Sequence, residues 1–467
     1  MTRLNRSPRT EAIIRRAILL VATLGLFLPL AAAPRQSLPG RTGTSVTILV
    51  DFSRSVVPLA TPDERALKAL TAAISDLAGG SWTPPIKISW AAISSSSLAK
   101  LPAFNDGPCE PLEFEQKLIK AEKAMDKPAL KNRLSKCVDQ IKAASAIASN
   151  WTQWTDISGA IRLATESARD AAGEKILVIY SDFREDLPPG TKAVPIKLYG
   201  EQVLLINRPG TDDNKATVSE YLERINHWTD DLKGHGASQA HNIPVFGATQ
   251  ARLINSLNVR QRQVGTAVLV LVNSTDSIQP GSLRPIAAGL AQMARDWAPP
   301  VTVTWVGLEQ SAFLARWIAP IEFSPTLIKR PDAISFEDLG LRLDQCAAGM
   351  ERLRVSGSTA DLSGALALGW TANQTEAHKV LIVVSDFRDD TRLAKNPSFQ
   401  LNNVSVVMVG STSSADVSNQ ADYFSHLDSW EKTFRERHSP FVCRTQLENL
   451  TSNTVVKCLS KGPTTER

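Results

Sequence analysis

Lys175–Asp186 reads KILVIYSDFRED, and Lys379–Asp390 reads KVLIVVSDFRDD. Each stretch is a short apolar, β-branched run, the pattern of a strand buried on both faces, and each ends in Ser-Asp-Phe-Arg followed by acidic residues. Working outward, three further blocks recur in the same order, about 200 residues apart. Asp156–Ile161 (DISGAI) matches Asp361–Leu366 (DLSGAL), Trp82–Ile93 (WTPPIKISWAAI) matches Trp297–Leu308 (WAPPVTVTWVGL), and Tyr221–Trp228 (YLERINHW) matches Tyr423–Trp430 (YFSHLDSW). Collinear matches of this kind identify an internal duplication.

Each copy alternates strand and helix signals. Ser45–Val50 (SVTILV) predicts a buried strand. Thr61–Leu77 predicts a helix in which Thr61 caps, Pro62 fits the first turn and Glu64 completes a capping box. Its Leu67, Leu70, Ile74 and Leu77 form one apolar stripe, and Gly79-Gly80 ends it. Strands over Ile86–Ile93, Ile176–Tyr180 and Val203–Ile206 alternate with helices over Ile157–Ala172 and Tyr221–Leu232. Repeated βα units predict an α/β chain of two tandem, doubly wound, mainly parallel sheets with helices on both faces. The expected organisation is one unit over 44–248, with a helical insertion at 111–148, a second over 265–459, and a polar tail at 460–467. The stretch Asn242–Val264 carries Pro244, Gly247 and three arginines, which suits an interdomain linker, expected over 249–264.

The 467 residues exceed one average core, and 43% hydrophobic with 21% charged residues is globular composition. A net charge of +5 without a dense basic block argues against nucleic-acid binding. Residues 1–33 run from arginines (Arg3, Arg6, Arg9, Arg15, Arg16) through an apolar stretch to Ala31-Ala32-Ala33. That order is a signal peptide, or an uncleaved anchor since the run is just short of a bilayer span, and it predicts export to the periplasm or beyond. An anchor of this kind is the one expected membrane contact. Five cysteines in an exported chain predict two bridges, by nearness in sequence Cys109 with Cys137 and Cys443 with Cys458, leaving Cys346 free and buried; the alternative is five reduced core cysteines.

Ligands of open parallel sheets bind beyond the C-terminal strand ends. There the first copy places Asp51-Phe52-Ser53-Arg54-Ser55 after SVTILV, Thr155 ahead of the next helix, and Asp182 after ILVIYS. Hydroxyls and carboxylates in this number suit a hard cation that keeps several waters. The two serines equally suit a turn in which they bond their own backbone. The pattern resembles the metal-ion-dependent adhesion site of von Willebrand factor type A domains. The resemblance implies a doubly wound fold in both copies. It also implies a divalent cation (Mg²⁺, or Mn²⁺ or Ca²⁺) in the first copy, bound directly by Ser53, Ser55 and Thr155, and directly or through water by Asp51 and Asp182. Family members usually start a helix close to the second serine, whereas Val56–Leu59 intervenes here. The second copy has Asn273, Thr275 and Ser277 in the first position, Ala360 with Thr359 one residue off in the second, and Asp386 in the third, a degenerate set expected to lack metal.

Phe183 and Phe387 are expected to plug the top of each sheet, and Tyr221/Trp228 and Tyr423/Trp430 to pack in the core. Arg184-Glu185-Asp186 and Arg388-Asp389-Asp390 read as solvated loops, the alternative being charge that supports the site or contacts a partner. The functional expectation is an exported module that binds an unidentified protein partner through metal in the first copy, the second being a metal-independent interaction or packing unit. The alternative is a metal-free assembly scaffold. No nucleophile elbow, phosphate loop or histidine base suggests an enzyme.

Overall fold

The computed structural model of the chain describes residues 43–460 except 94–111, 115–125, 148–151, 170, 172, 211–212, 214–217, 259–264, 274–277, 310, 324–333, 335, 354–359, 373–375, 389–399 and 413–417. The targeting segment expected over 1–33, and all but the first residue of the tail, lie outside these. Among the described residues no helix is long and apolar enough to cross a membrane.

The first half runs β1 (Gly43–Asp51), α1 (Thr61–Ala78), β2 (Ile86–Ile93), β3 (Leu112–Phe114), α2 (Lys127–Ser145), α3 (Ile157–Ser167), β4 (Gly173–Ser181), β5 (Gln202–Asn207), α4 (Val218–Gly234), β6 (Gln239–Pro244) and α5 (Gln250–Leu257). Its sheet has the order β3-β2-β1-β4-β5-β6, parallel except for β3. The second half runs β7 (Thr266–Val272), α6 (Arg284–Met293), β8 (Val301–Gly307), β9 (Arg316–Trp317), β10 (Ile321–Phe323), α7 (Phe336–Arg352), α8 (Leu362–Ala372), β11 (His378–Ser385), β12 (Val404–Gly410), α9 (Gln420–Glu436), β13 (Phe441–Gln446) and α10 (Ser452–Ser460). Its order is β10-β8-β7-β11-β12-β13, parallel except for β10 and the short β9 beside β8. Both halves thus share one plan, and α1 packs on α2 and α5 as α6 packs on α7 and α10.

That plan corrects three expectations. Residues 111–148 are no insertion, because β3 and α2 have counterparts in β10 and α7. Leu130, Leu134, Cys137 and Ile141 fall at the spacing of Leu339, Leu343, Cys346 and Met350, so in the helices the match survives mainly as an apolar pattern. Nor is Asn242 onward a linker: β6 and α5 complete the first half as β13 and α10 complete the second. Finally, Ala60 rather than Thr61 precedes the first turn of α1. Asp63 accepts the Ala60 N–H (2.6 Å), while Glu64 pairs with Lys68 and Lys142.

The cysteines follow the same plan. Cys443 and Cys458 form a disulfide between β13 and α10. Cys137 is disulfide-bonded, and Cys109, its expected partner, lies outside the described residues. Cys346 is free but half-buried rather than buried, with burial raising its thiol pKa to about 11. Aligning Pro111–Phe114 with Pro320–Phe323 puts Ile318 where the first half has Cys109. Cys346 is therefore the duplicate of Cys137, with Ile318 packed against the same apolar cluster.

One core joins the halves. Helix α8 is apolar on every face, and Leu362, Ala365, Leu366, Ala367 and Leu368 are all buried. Such a helix needs cover all round. Sheet two covers one side, while β6, α4 and the turn Val245–Gly247 of the first half cover the other. Around it Phe246 stacks on Trp317 (3.7 Å between centroids), Glu322 accepts the Ala251 N–H, and a wholly buried Arg252 pairs with Glu376.

Candidate metal centre

The chain runs outward from β1 through β2 to β3, then returns to β4, so the switch point of the first sheet lies between β1 and β4. Their parallel register sets Val50 beside Tyr180. Asp51 and Ser181 therefore leave the sheet side by side, and Asp182 follows.

Three of the five expected ligands, Asp51, Ser53 and Ser55, are joined by hydrogen bonds, and Asp182 stands beside them. The Ser53 N–H donates to Asp51 Oδ1 (2.8 Å), and the Ser181 hydroxyl donates to Asp51 Oδ2 (2.6 Å). Ser53 Oγ and Ser55 Oγ stand 3.0 Å apart, and Ser55 faces Asp182 closely enough to favour its ionised form. The Arg184 N–H donates to Asp182 Oδ1 (3.0 Å). Thr155 joins through its backbone, exchanging bonds with Asp186 (2.6 and 3.0 Å), and its side chain is buried. The preceding Thr152 pairs with the turn at Ser53, which seats this loop beside the serines. The intervening Val56–Leu59 stretch folds back, with the Val56 and Val57 N–H groups donating to the Ser53 carbonyl.

Asp51 and Asp182 are both fully buried. Burial, and then the charge of Asp182, push Asp51 up to about 7, and burial likewise raises Asp182 against the opposing pull of Ser55 and the Arg184 N–H. Asp182 Oδ2 has no hydrogen-bond partner among the described residues. An orphaned, buried carboxylate oxygen calls for a ligand, water or ion. The donors here are all oxygens, which fits a hard divalent cation. Among the described residues no three His, Cys, Asp or Glu side chains cluster to hold a metal, so a cation here depends on the serine and threonine hydroxyls.

Several residues that shape this site escaped the sequence reading. Ser181 recurs as Ser385, and each hydroxyl accepts the N–H of the phenylalanine two residues on (2.9 Å in both halves). Phe183 and Phe387 adopt left-handed backbone (φ 58° and 59°), a conformation that bulky residues rarely take. The Trp228 and Trp430 indoles hold the two turns by donating to the Phe183 and Phe387 carbonyls (3.0 Å each). These tryptophans therefore brace the strand ends as well as packing. Nor is Arg184-Glu185-Asp186 a solvated loop: Arg184 pairs with buried Asp213, and Glu185 accepts the Ser158 N–H and hydroxyl at the start of α3. The recurrence of Ser and Trp in both copies was the available signal.

In the second half the Asn273 amide donates to Asp386 Oδ1 (3.1 Å) and to Ser385 Oγ (3.4 Å). Ala360 is buried where Thr155 stands in the first half, and Asp361 caps α8 as Asp156 caps α3. Thr275, Ser277 and Thr359 lie outside the described residues.

No protein-family model matches the chain, and no curated protein does. Among solved structures it is similar to proximal thread matrix protein 1 from the mussel byssus, with 11% identity, 90% of this chain and 97% of that one covered, and a TM-score of 0.25. It is also similar to the manganese-loaded Plasmodium vivax TRAP protein, with 14% identity, 42% and 72% covered, and a TM-score of 0.23. Overlays this loose carry no inference about fold or site.

Proposed function

We propose that the chain is an exported protein-binding module. In its first half Asp51, Ser53, Ser55, Thr155 and Asp182 hold a divalent cation, Mg²⁺ or Mn²⁺, that engages a carboxylate of a partner protein. The observation that carries this reading is the pair of buried carboxylates, one with an oxygen that no described residue satisfies. The cation would supply the positive charge that two adjacent acids lack. The chain's own part is to fix the oxygens: Ser181 and the Ser53 N–H orient Asp51, and the Arg184 N–H orients Asp182. The resemblance to von Willebrand factor type A domains supports the same assignment, and disulfides are compatible with an oxidising compartment. No catalytic step is proposed.

The second half acts as a metal-independent packing unit. Asn273 already satisfies Asp386, and α8 is committed to the shared core. If the first site also lacks metal, the chain is a rigid assembly scaffold. Melting the purified protein in Mg²⁺, in Mn²⁺ and in chelator separates the two. The proposed function requires a higher melting temperature with either cation, and no such rise in Asp51→Ala/Asp182→Ala. An equal rise in that variant, or none in the wild type, rejects it.

A further inference from the structure

Asp182 is backed by a layer of residues outside the expected ligand set, and two of them, Gly210 and Asp213, also lie outside the repeated blocks. Beyond β5 the chain passes Gly210, and a Cβ built there would lie 2.5 Å from Asp182 Oδ2, with the next nearest atoms also those of Asp182. A bare glycine is what lets the backbone approach that oxygen. The Gly210 N–H donates to Asp213 Oδ2 (2.7 Å), and the Asp213 N–H returns to the Gly210 carbonyl (3.0 Å). Asp213 is wholly buried and held by two arginines: Arg184, whose own N–H bonds Asp182, and Arg224, whose Nη2 reaches both carboxylate oxygens (2.8 and 2.9 Å).

The layer extends into the other half of the molecule. The Arg224 guanidinium lies 5.3 Å from the centre of the Tyr221 ring, and that ring meets Phe313 of the second half edge-on at 5.6 Å. Phe313 sits in the short turn Ala312–Leu314, whose Ala312 N–H donates to Asp361, the cap of α8.

We propose that Gly210 and Asp213 are positioning residues for Asp182, and that Phe313 of the second half completes their support through Tyr221 and Arg224. The degenerate half then serves the intact site directly, as part of its supporting shell. The inference rests on the metal reading given above. Residues that orient metal ligands in this way change affinity by about 10- to 100-fold when altered.

The test is Mn²⁺ titration of the full chain, following the electron paramagnetic resonance signal of the free ion, alongside melting in chelator. Gly210→Ala is expected to weaken Mn²⁺ binding at least ~10-fold. Asp213→Asn is expected to weaken it and to alter the bound-Mn²⁺ spectrum, and Phe313→Ala to weaken it about threefold or more. Gly80→Ala, where an added Cβ meets nothing closer than 3.7 Å, should leave binding unchanged. Should Gly210→Ala also lower the melting temperature in chelator, adding Asp182→Ala must restore it, because the collision is with that side chain. Wild-type binding with Gly210→Ala and Asp213→Asn unaffected, a loss in Gly80→Ala as large as in Gly210→Ala, or failure of the double variant to recover overturns the inference while the metal reading stands. An unaffected Phe313→Ala overturns the part given to the second half. A wild type that binds no Mn²⁺ overturns both.

Discussion

At the adjoining ends of β1 and β4 two carboxylates, Asp51 and Asp182, are buried side by side; burial raises both, and the charge of Asp182 makes Asp51 harder still to ionise. At the end of β11 the same backbone, with the same serine, left-handed phenylalanine and tryptophan brace, holds Asn273 against Asp386. The amide donates the hydrogen bond that the first site lacks. The change from acid to amide, among the differences between the two sites, is the one that leaves the first electrostatically incomplete and the second satisfied within the chain. Incompleteness has a cost to the fold, and a cost of that kind points to function at β4 and to structure at β11.

Three experiments bear on this contrast, the largest effect first. If the second half is structural, cutting its anchorage should be severe. Arg252→Met leaves Glu376 buried without its guanidinium, and a loss of about 3–5 kcal/mol is expected. Because the halves share one core, denaturant should still give one transition at a lower midpoint. Two separated transitions would show that the halves are independent.

The second experiment exchanges the distinguishing residues. Asp51 binds a proton more tightly in the folded chain, at about 7 against an ordinary 3.8. The folded state therefore holds protons that the unfolded state has released, and stability in chelator should fall as pH rises from about 4 to about 7. Asp51→Asn should remove Asp51's share of that slope, raise the melting temperature in chelator above pH 7, and abolish the response to Mg²⁺. Asn273→Asp should do the reverse in the second half, losing the bond to Asp386 and costing about 1–3 kcal/mol. A stability profile in chelator that is flat between pH 4 and 7 contradicts the assignment.

The smallest effect concerns what the sites share. Trp228→Phe and Trp430→Phe each strip the indole donor from a phenylalanine carbonyl and should cost about 1 kcal/mol apiece by denaturant titration. Equal losses would show that the turn is a common frame indifferent to acid or amide. A loss confined to Trp228→Phe would tie the brace to the proposed metal site instead.

Much of this was legible in the residues. The SDFR blocks, the DISGAI and DLSGAL blocks and the β-branched runs identified the duplication and the parallel sheets, because a strand buried on both faces tolerates little but Val, Ile and Leu. Asp51, Ser53, Ser55 and Asp182 were named from strand-end logic, and they meet. Helix α2 was misread as an insertion because its match to α7 survives mainly as buried positions at helical spacing, which many sequences satisfy. Helix α5 was misread as linker because its Pro-Gly approach is a turn between β6 and the helix, not the end of the unit.

What the sequence alone determined, then, is the repeated βα plan and the chemistry present at each strand end, since both are written in local periodicity and residue type. Only the tertiary structure decided which groups complete one another. Gly210 against Asp182, Asp213 between Arg184 and Arg224, and Phe313 on Tyr221 join residues far apart in the chain or in opposite halves. Such pairings depend on how loops close over a sheet and how one half seats on the other, and no local pattern encodes that.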